Sequence, residues 1–480
     1  MTRPTEASSE ELAAAYATGD LSPVEAVQAV LDRIDTWEPK INAMFLVHRE
    51  SALTAARESE RRWRRGEPRS PLDGVPITVK ENIYTRGDPA PIGTSANLDL
   101  PQPHDAPAAA RVREAGCVIL GKTTMPDYGM LSSGMSSRHG LTRNPWRLDR
   151  NPSGSSSGAG AACAARYGPL HIGTDIGGSV RLPATHCGIF GLKPSQGRVP
   201  VYPPYTGRVA GPMTRTVRDA ALLMNVLTGA DVRDFMSLPP ESLDYRTAVD
   251  GLSPKSLRIG LLLDMKAGLA VDAQVQAAAE AAGEALRAEG ADVEIVASFL
   301  NDEMLDGVFT FFEARSFNEI EALDESTRAK VLPFVVEWCT WRARNFTGSQ
   351  VMAGFNRMMA MRDAASRLVA QYDFLLSPTS PLLPYEARLA APTDDPHNAL
   401  QHIAFTVPWN MSEHPAASIN WGFSSDGLPI GVQVVGQRFD DIGVLRLSRA
   451  LEILRPRQLA WPEPSSSRLE DVGGYGLGEA

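Results

Sequence analysis

The chain has 480 residues, 43% of them hydrophobic and 22% charged, with a net charge of −10. That balance fits a globular protein with room for one large domain or two to three ordinary ones, and the acidity argues against broad attraction to nucleic acid. No apolar run reaches the length of a membrane span, and the start of the chain lacks the apolar core of a signal peptide, so no membrane partner is expected and cytoplasmic residence is.

The first sixty residues read helical. Ser22-Pro23-Val24-Glu25 is a capping box with proline at the first helical position, and Val24, Val27, Val30, Leu31 and Ile34 then recur at helical spacing. Arg57, Arg61, Arg62, Arg64 and Arg65 surround Trp63 and end at Gly66. They read as the last turn of a helix, where cations suit the dipole, in preference to an RNA patch. From Gly74 the pattern alternates through Val75-Pro76-Ile77-Thr78-Val79-Lys80, a strand with Ile77 and Val79 on one face and Thr78 and Lys80 on the other. A helical stretch near Ala106 to Ala115 precedes a short buried strand, Cys117 to Leu120.

Further on, Leu257 to Leu263 and Val293 to Val296 read as strands joined by a long helix, Val271 to Glu289. This βαβ unit implies parallel pairing. Phe374 to Leu376 and Ala417 to Trp421 read as strands, and Ser425-Asp426-Gly427 as a hairpin turn into Ile430 to Val435, with Pro429 weakening that reading. A helix from Ile442 to Leu454 follows. With no internal linker, residues 1–462 read as one α/β domain with a mixed sheet, and 463–480, rich in Pro, Ser and Gly, as a poorly ordered tail.

Two Ser/Gly-rich segments stand out: Asn151 to Gly158 and Gly173 to Arg181. They flank an alanine run, Ala159 to Ala165, suited to a compact helix. Gly177 and Gly178 before Ser179 let backbone N–H groups turn toward one point, and a hydroxyl beside converging donors is what acyl transfer needs. Serine also needs a base. Neither segment contains a histidine between its serines, although His171 and His186 flank the second. Lysine serves as a base only when burial or neighbouring cations lower its pKa. Lys80, ending an apolar strand, fits that demand better than Lys255, Lys266 or Lys330. The four cysteines form no CxxC pair and the eight histidines are scattered, so neither a zinc site nor a disulfide framework is expected, and no cofactor.

Lys80 after Gly-Val-Pro-Ile-Thr-Val, the Ser155 loop, and Gly-Thr-Asp-Ile-Gly-Gly-Ser-Val-Arg-Leu-Pro-Ala running on to Gly-Leu-Lys-Pro at 191–194 resemble the amidase signature family. Tyr372 to Thr379 and Phe405 to Gly436 also match its later blocks. The resemblance implies a large twisted mixed sheet flanked by helices on both faces, with a catalytic core at about 65–220. It also implies a Ser–cis-Ser–Lys triad: Ser179 as nucleophile, Ser155 as bridging serine after a cis peptide, and Lys80 as base. The oxyanion hole maps to the N–H groups of Ile176, Gly177, Gly178 and Ser179. The substrate pocket maps to the loop Asp127 to Ser133, with Gly129, Met130, Leu131 and Ser132 as contacts, and to a variable region at about 300–365. Serines at 153 and 157 replace glycines of the family's loop. His414 falls in a segment that varies in the family and takes no catalytic role.

The variable region contains Phe309, Phe311, Phe312, Phe317, Phe334, Trp338, Trp341 and Phe346, which is ordinary core packing for any one of them and, taken together, an apolar cavity for an aryl or extended acyl group. The expected partner is a small-molecule amide or carbamate, with a homodimer left open. The function implied is an amidase. Carbamate (urethane) or ester hydrolysis by the same triad, an amidotransferase component that generates ammonia for mischarged tRNA, and a non-catalytic scaffold remain alternatives. Gly154 to Gly158 also fits G-x-S-x-G, but the polar, proline-broken stretch before it is not the strand that a nucleophile elbow requires.

Overall fold

The computed structural model describes residues 3–464. Eleven strands join one sheet: β1 Met44–Val47, β2 Pro76–Lys80, β3 Val118–Thr123, β4 Leu170–Asp175, β5 Phe190–Lys193, β6 Val209–Thr214, β7 Arg258–Leu261, β8 Asp292–Ile295, β9 Phe374–Pro378, β10 Ala416–Phe423 and β11 Pro429–Gly436. Their spatial order is β1-β3-β2-β4-β6-β5-β10-β11-β9-β7-β8. β2 runs parallel to both β3 and β4, β7 runs parallel to β8 and β9, and the strands between β4 and β9 pair antiparallel. The sheet is therefore mixed, as expected.

Alternation within the strands sorts their side chains to two faces. Ile77, Val79 and Ile119 join a core with Leu170, Ile172, Leu192 and Val432. Val118 and Leu120 join the other side with Trp37, Ala161, Ala162 and Tyr167. A further cluster gathers Phe309, Phe312, Trp338, Met358, Trp409 and Val435 around the helices Asp302–Glu321, Pro333–Thr340 and Gly348–Val369.

Local expectations are met closely. Ser22 caps the helix Pro23–Ile41 with Glu25 closing the box. The βαβ unit is parallel, with Asp292 opposite Arg258. β10 and β11 form the antiparallel hairpin, and Pro429 is its first paired residue, opposite Phe423, a place where a strand tolerates proline. The arginine cluster closes the helix Arg49–Arg64, and Arg62 pairs with buried Asp73 at 2.5 Å. From residue 465 the expected tail lies outside the described residues. Of its positions only 463 and 464 are described: Glu463 pairs with Arg33 at 3.0 Å, just beyond Trp461, whose ring lies 6.0 Å from that of Trp146.

Candidate active site

Lys80 is the last residue of β2 and Asp175 the last of β4, and these strands are parallel neighbours. Both ends therefore open on one edge of the sheet, where open α/β sheets hold their ligands. The helix Ser157–Ala164 starts just after Ser155, and the helix Arg181–Cys187 just after Ser179. The two helices pack closely, for a Cβ on Gly160 would stand 2.9 Å from Pro183 Cβ. Alanine and glycine there let both helix starts converge on the end of β2.

The peptide bond Gly154–Ser155 is cis, as the resemblance implies. Ser153 takes a left-handed φ of 63° in place of the family's glycine. Asn151 holds it there, its Oδ1 accepting the Ser153 N–H at 2.9 Å.

Lys80 is fully buried. Its Nζ lies 2.8 Å from Ser155 Oγ, 3.0 Å from Ser156 Oγ and 3.0 Å from Thr174 Oγ1, and no carboxylate pairs with it among the described residues. Burial, reinforced by the nearby Arg208 guanidinium, holds its pKa well below the ordinary lysine range against the weaker pull of Asp175 and Glu81. A neutral amine has a lone pair and can accept the proton of a bound hydroxyl. Ser156 Oγ donates in turn to the Thr174 carbonyl at 3.1 Å, and Asn82 Nδ2 donates to Thr174 Oγ1 at 3.1 Å. Ser156, Thr174 and Asn82 are thus members of the network that sequence reasoning did not single out.

Ser179 opens on the same pocket as Ser155, and the Ser156 N–H bonds its carbonyl at 3.2 Å. Its own Oγ makes no hydrogen bond to a described residue. The four expected oxyanion donors are not equivalent. The N–H of Gly178 donates to Asp175 Oδ1 at 2.8 Å, so that donor is committed to the carboxylate. The N–H groups of Ile176, Gly177 and Ser179 have no partner among the described residues. Of the four N–H groups expected to form the oxyanion hole, three are therefore without a partner among the described residues and one is taken by Asp175.

Asp175 organises this turn. Fully buried, it receives Arg181 Nη2 at 2.9 Å and Nε at 3.0 Å, Asn410 Nδ2 at 2.9 Å and the Val180 N–H at 3.1 Å. Gly178 has φ +127°, and a Cβ there would stand 2.5 Å from Thr406 Oγ1 and 2.8 Å from Leu182 Cδ1. Gly178→Ala is therefore expected to displace the turn and lower kcat/KM by about 100-fold, the scale of a lost oxyanion donor. Steady-state hydrolysis of an anilide checks this, alongside a denaturation curve showing that the variant is folded.

The site opens into a cleft of about 720 Å³, a volume that includes the open solvent at its mouth. Gly129, Met130, Leu131 and Ser132 all line it, beside Tyr128. Of the eight aromatics in the variable region only Phe312 and Trp338 do so, with Leu400 and Ile403 adding apolar surface. Phe309 lies in the core, Phe311 packs against Tyr205 and Phe355, and Trp341 stacks on His397 at 4.2 Å. The cavity is less aromatic than its sequence reads, because Phe309 packs in the core cluster and Phe334 against it, while Phe311 and Trp341 spend their faces on other rings. It also carries two arginines, Arg208 and Arg315, that the sequence reading did not single out.

Two of the buried histidines, His171 and His414, bond elsewhere. His171 pairs with Thr78 Oγ1 at 2.7 Å and burial pushes it down to about 3, while His414 bonds Ser412 Oγ at 2.9 Å and burial brings it to about 4. No group of three or more His, Cys, Asp or Glu residues placed to hold a metal ion occurs among the described residues, nor does any helix long and apolar enough to cross a membrane.

Comparison with known proteins places this arrangement. The A subunit of the glutamyl-tRNA(Gln) amidotransferase from Chloroflexus aggregans is 35% identical over 468 residues, covering 91% of this chain and 94% of that protein. Among solved structures, a bacterial aryl acylamidase of the amidase signature enzymes superposes with a TM-score of 0.86 at 30% identity, over 94% of this chain and 96% of that one. A 6-aminohexanoate cyclic dimer hydrolase gives a TM-score of 0.86 at 30% identity, over 97% and 100%. The Amidase family matches residues 25–445, and with the sheet, the cis peptide and the Lys80–Ser155 contact already in place, the chain belongs to the amidase signature family.

Proposed function

We propose that this protein is a serine hydrolase that cleaves the C–N bond of amides through an acyl-enzyme, with Ser179 as nucleophile, Ser155 as relay and Lys80 as base. The observation that carries this reading is the buried Lys80 amine 2.8 Å from Ser155 Oγ, with no carboxylate paired to it among the described residues. Lys80 takes the proton of Ser155 while Ser155 takes that of Ser179, whose Oγ attacks the amide carbonyl. The second link closes as the Ser179 side chain turns toward Ser155. Charge developing on the carbonyl oxygen is met by the free N–H groups of Ile176, Gly177 and Ser179. The proton returns along the relay to the departing amine. A water deprotonated through the same relay then attacks the ester, releasing the acid and restoring Ser179.

Met130, Leu131, Phe312, Trp338, Leu400 and Ile403 give the cleft an apolar side, which supports aryl or extended acyl amides as substrates. Carbamates and esters present a similar carbonyl to the same relay. The likeness to the amidotransferase of Chloroflexus aggregans favours a second reading, in which glutamine is the nitrogen donor and a partner protein completes the enzyme.

A panel of acyl 4-nitroanilides, primary amides, carbamates, esters and glutamine, run with wild type and Ser179→Ala, separates these readings. Anilide turnover above that of glutamine, absent in Ser179→Ala, is the expected result. Glutamine as the fastest substrate would move the assignment to the amidotransferase reading, and undiminished activity in Ser179→Ala would sink the triad.

A further inference from the structure

The two arginines of the cleft have chemistry left to satisfy. Arg208 directly precedes β6, whose Val209 pairs with Asp175, so it stands beside the turn that begins the Ile176–Ser179 segment. Its guanidinium donates to the Pro203 carbonyl at 3.3 Å and has no ion-pair partner among the described residues. Arg315, on the helix Asp302–Glu321, lies 4.3 Å over the Tyr205 ring and reaches Glu319 only at 3.5 Å. The Arg208 N–H bonds the Tyr205 carbonyl at 3.0 Å, which ties the two arginines to one segment. The carboxylate of Asp175 offers no relief, because Arg181, Asn410 and two backbone N–H groups occupy it.

Both arginines are half-buried in the cleft, Arg208 without an ion-pair partner among the described residues and Arg315 with only the partly exposed Glu319; a guanidinium so placed favours an anion that meets it, and its planar fork matches a carboxylate. We propose that Arg208 and Arg315 bind a carboxylate on the substrate, so that the preferred amide has an apolar body and one acidic end. This rests on the amide-hydrolase reading of the same cleft. It adds a specificity element that the apolar wall alone does not supply.

The test measures binding apart from turnover. Ser179→Ala protein is titrated calorimetrically with adipoyl monoanilide against its terminal primary amide, which places the acid on the acyl side. The hexanoyl amide of para-aminobenzoate against that of para-aminobenzamide places it on the amine side. In one of the two pairs the acid is expected to bind roughly tenfold or more tightly, as a charge-assisted bidentate contact would give. Adding Arg208→Gln should equalise that pair, Arg315→Gln should narrow it, and Arg208→Lys should restore part of the preference. Equal affinities in both pairs, or a preference untouched by both glutamine substitutions, overturns the anion site. Wild-type turnover is scored separately: acid preference without hydrolysis overturns the hydrolase reading alone, and hydrolysis without acid preference overturns the anion site alone.

Discussion

Lys80→Met is expected to lower kcat/KM by about three orders of magnitude or more, the scale seen when a member of a catalytic relay is removed, and to change how stability depends on pH. The second effect is the more diagnostic. Burial, with Arg208 adding to it and Asp175 and Glu81 opposing, holds the folded-state pKa of Lys80 well below its ordinary value of 10.5. Between those two values the unfolded chain binds a proton that the folded chain does not, so wild-type stability rises with pH. Methionine removes this dependence. The stability of Lys80→Met relative to wild type should therefore fall as pH rises from the lowered folded-state pKa toward the unfolded value, with a slope approaching about 1.4 kcal/mol per pH unit. The substitution also leaves the hydroxyls of Ser155, Ser156 and Thr174 without their shared partner. That loss is common to every pH, so the slope is the test and the sign at any single pH is not. Urea denaturation of both proteins across this range measures it, with Ser179→Ala as a control expected to track wild type. A flat difference would mean that position 80 carries an ordinary charged lysine, and the relay would have no base.

Much of this site is legible along the chain because its parts are local patterns. The strand ending in Lys80 alternates, the Ser/Gly segments flank an alanine run, and each of these has a short-range physical meaning. The βαβ unit and the Asp-Gly hairpin are legible for the same reason. What the chain conceals is how distant segments complete one another. Arg181 donates to the Thr406 carbonyl and to Gln433, while Asn410 bonds both Asp175 and Arg181. Asp175 and Arg181 sit inside the matched motif, yet nothing nearby shows that they form one buried pair. Arg208 gives no local signal either, since Tyr205-Thr206-Gly207 reads as an ordinary loop. The aromatic run misleads for a related reason. The helix Asp302–Glu321 buries side chains on more than one face, so periodicity cannot tell which rings turn to the cleft. The segment at the paired glycines reads as four donors because an N–H taken by a side chain leaves no trace in sequence.

Asp175→Asn is expected to cost about 3–5 kcal/mol of stability, the scale for breaking a buried ion pair from one side. Asp175 and Arg181 are both 0% exposed. Burial alone would raise the Asp175 pKa, but Arg181, Asn410 and the Val180 N–H together hold it well below the usual carboxylate range. Asparagine keeps the shape and removes the charge, and its amide nitrogen must face a group that is itself a donor. The stability supplied by the carboxylate is fully present above its unfolded pKa of about 4 and is lost as pH falls through the lower folded value. The gap between wild type and Asp175→Asn should accordingly be widest near neutrality and narrow below about pH 4, which denaturation curves at several pH values report. Activity should fall with stability and stay low at temperatures where the variant is folded, because the same carboxylate holds the Gly178 N–H and so sets the turn that aims Ser179. Changing both partners to apolar residues, Asp175→Leu with Arg181→Met, removes the lone buried charge but leaves Asn410, Gln433 and the Gly178 and Val180 N–H groups short of a partner, so it should recover only part of the stability and none of the activity. If the double variant regained turnover, the ion pair would be packing alone and the turn would be held by something else.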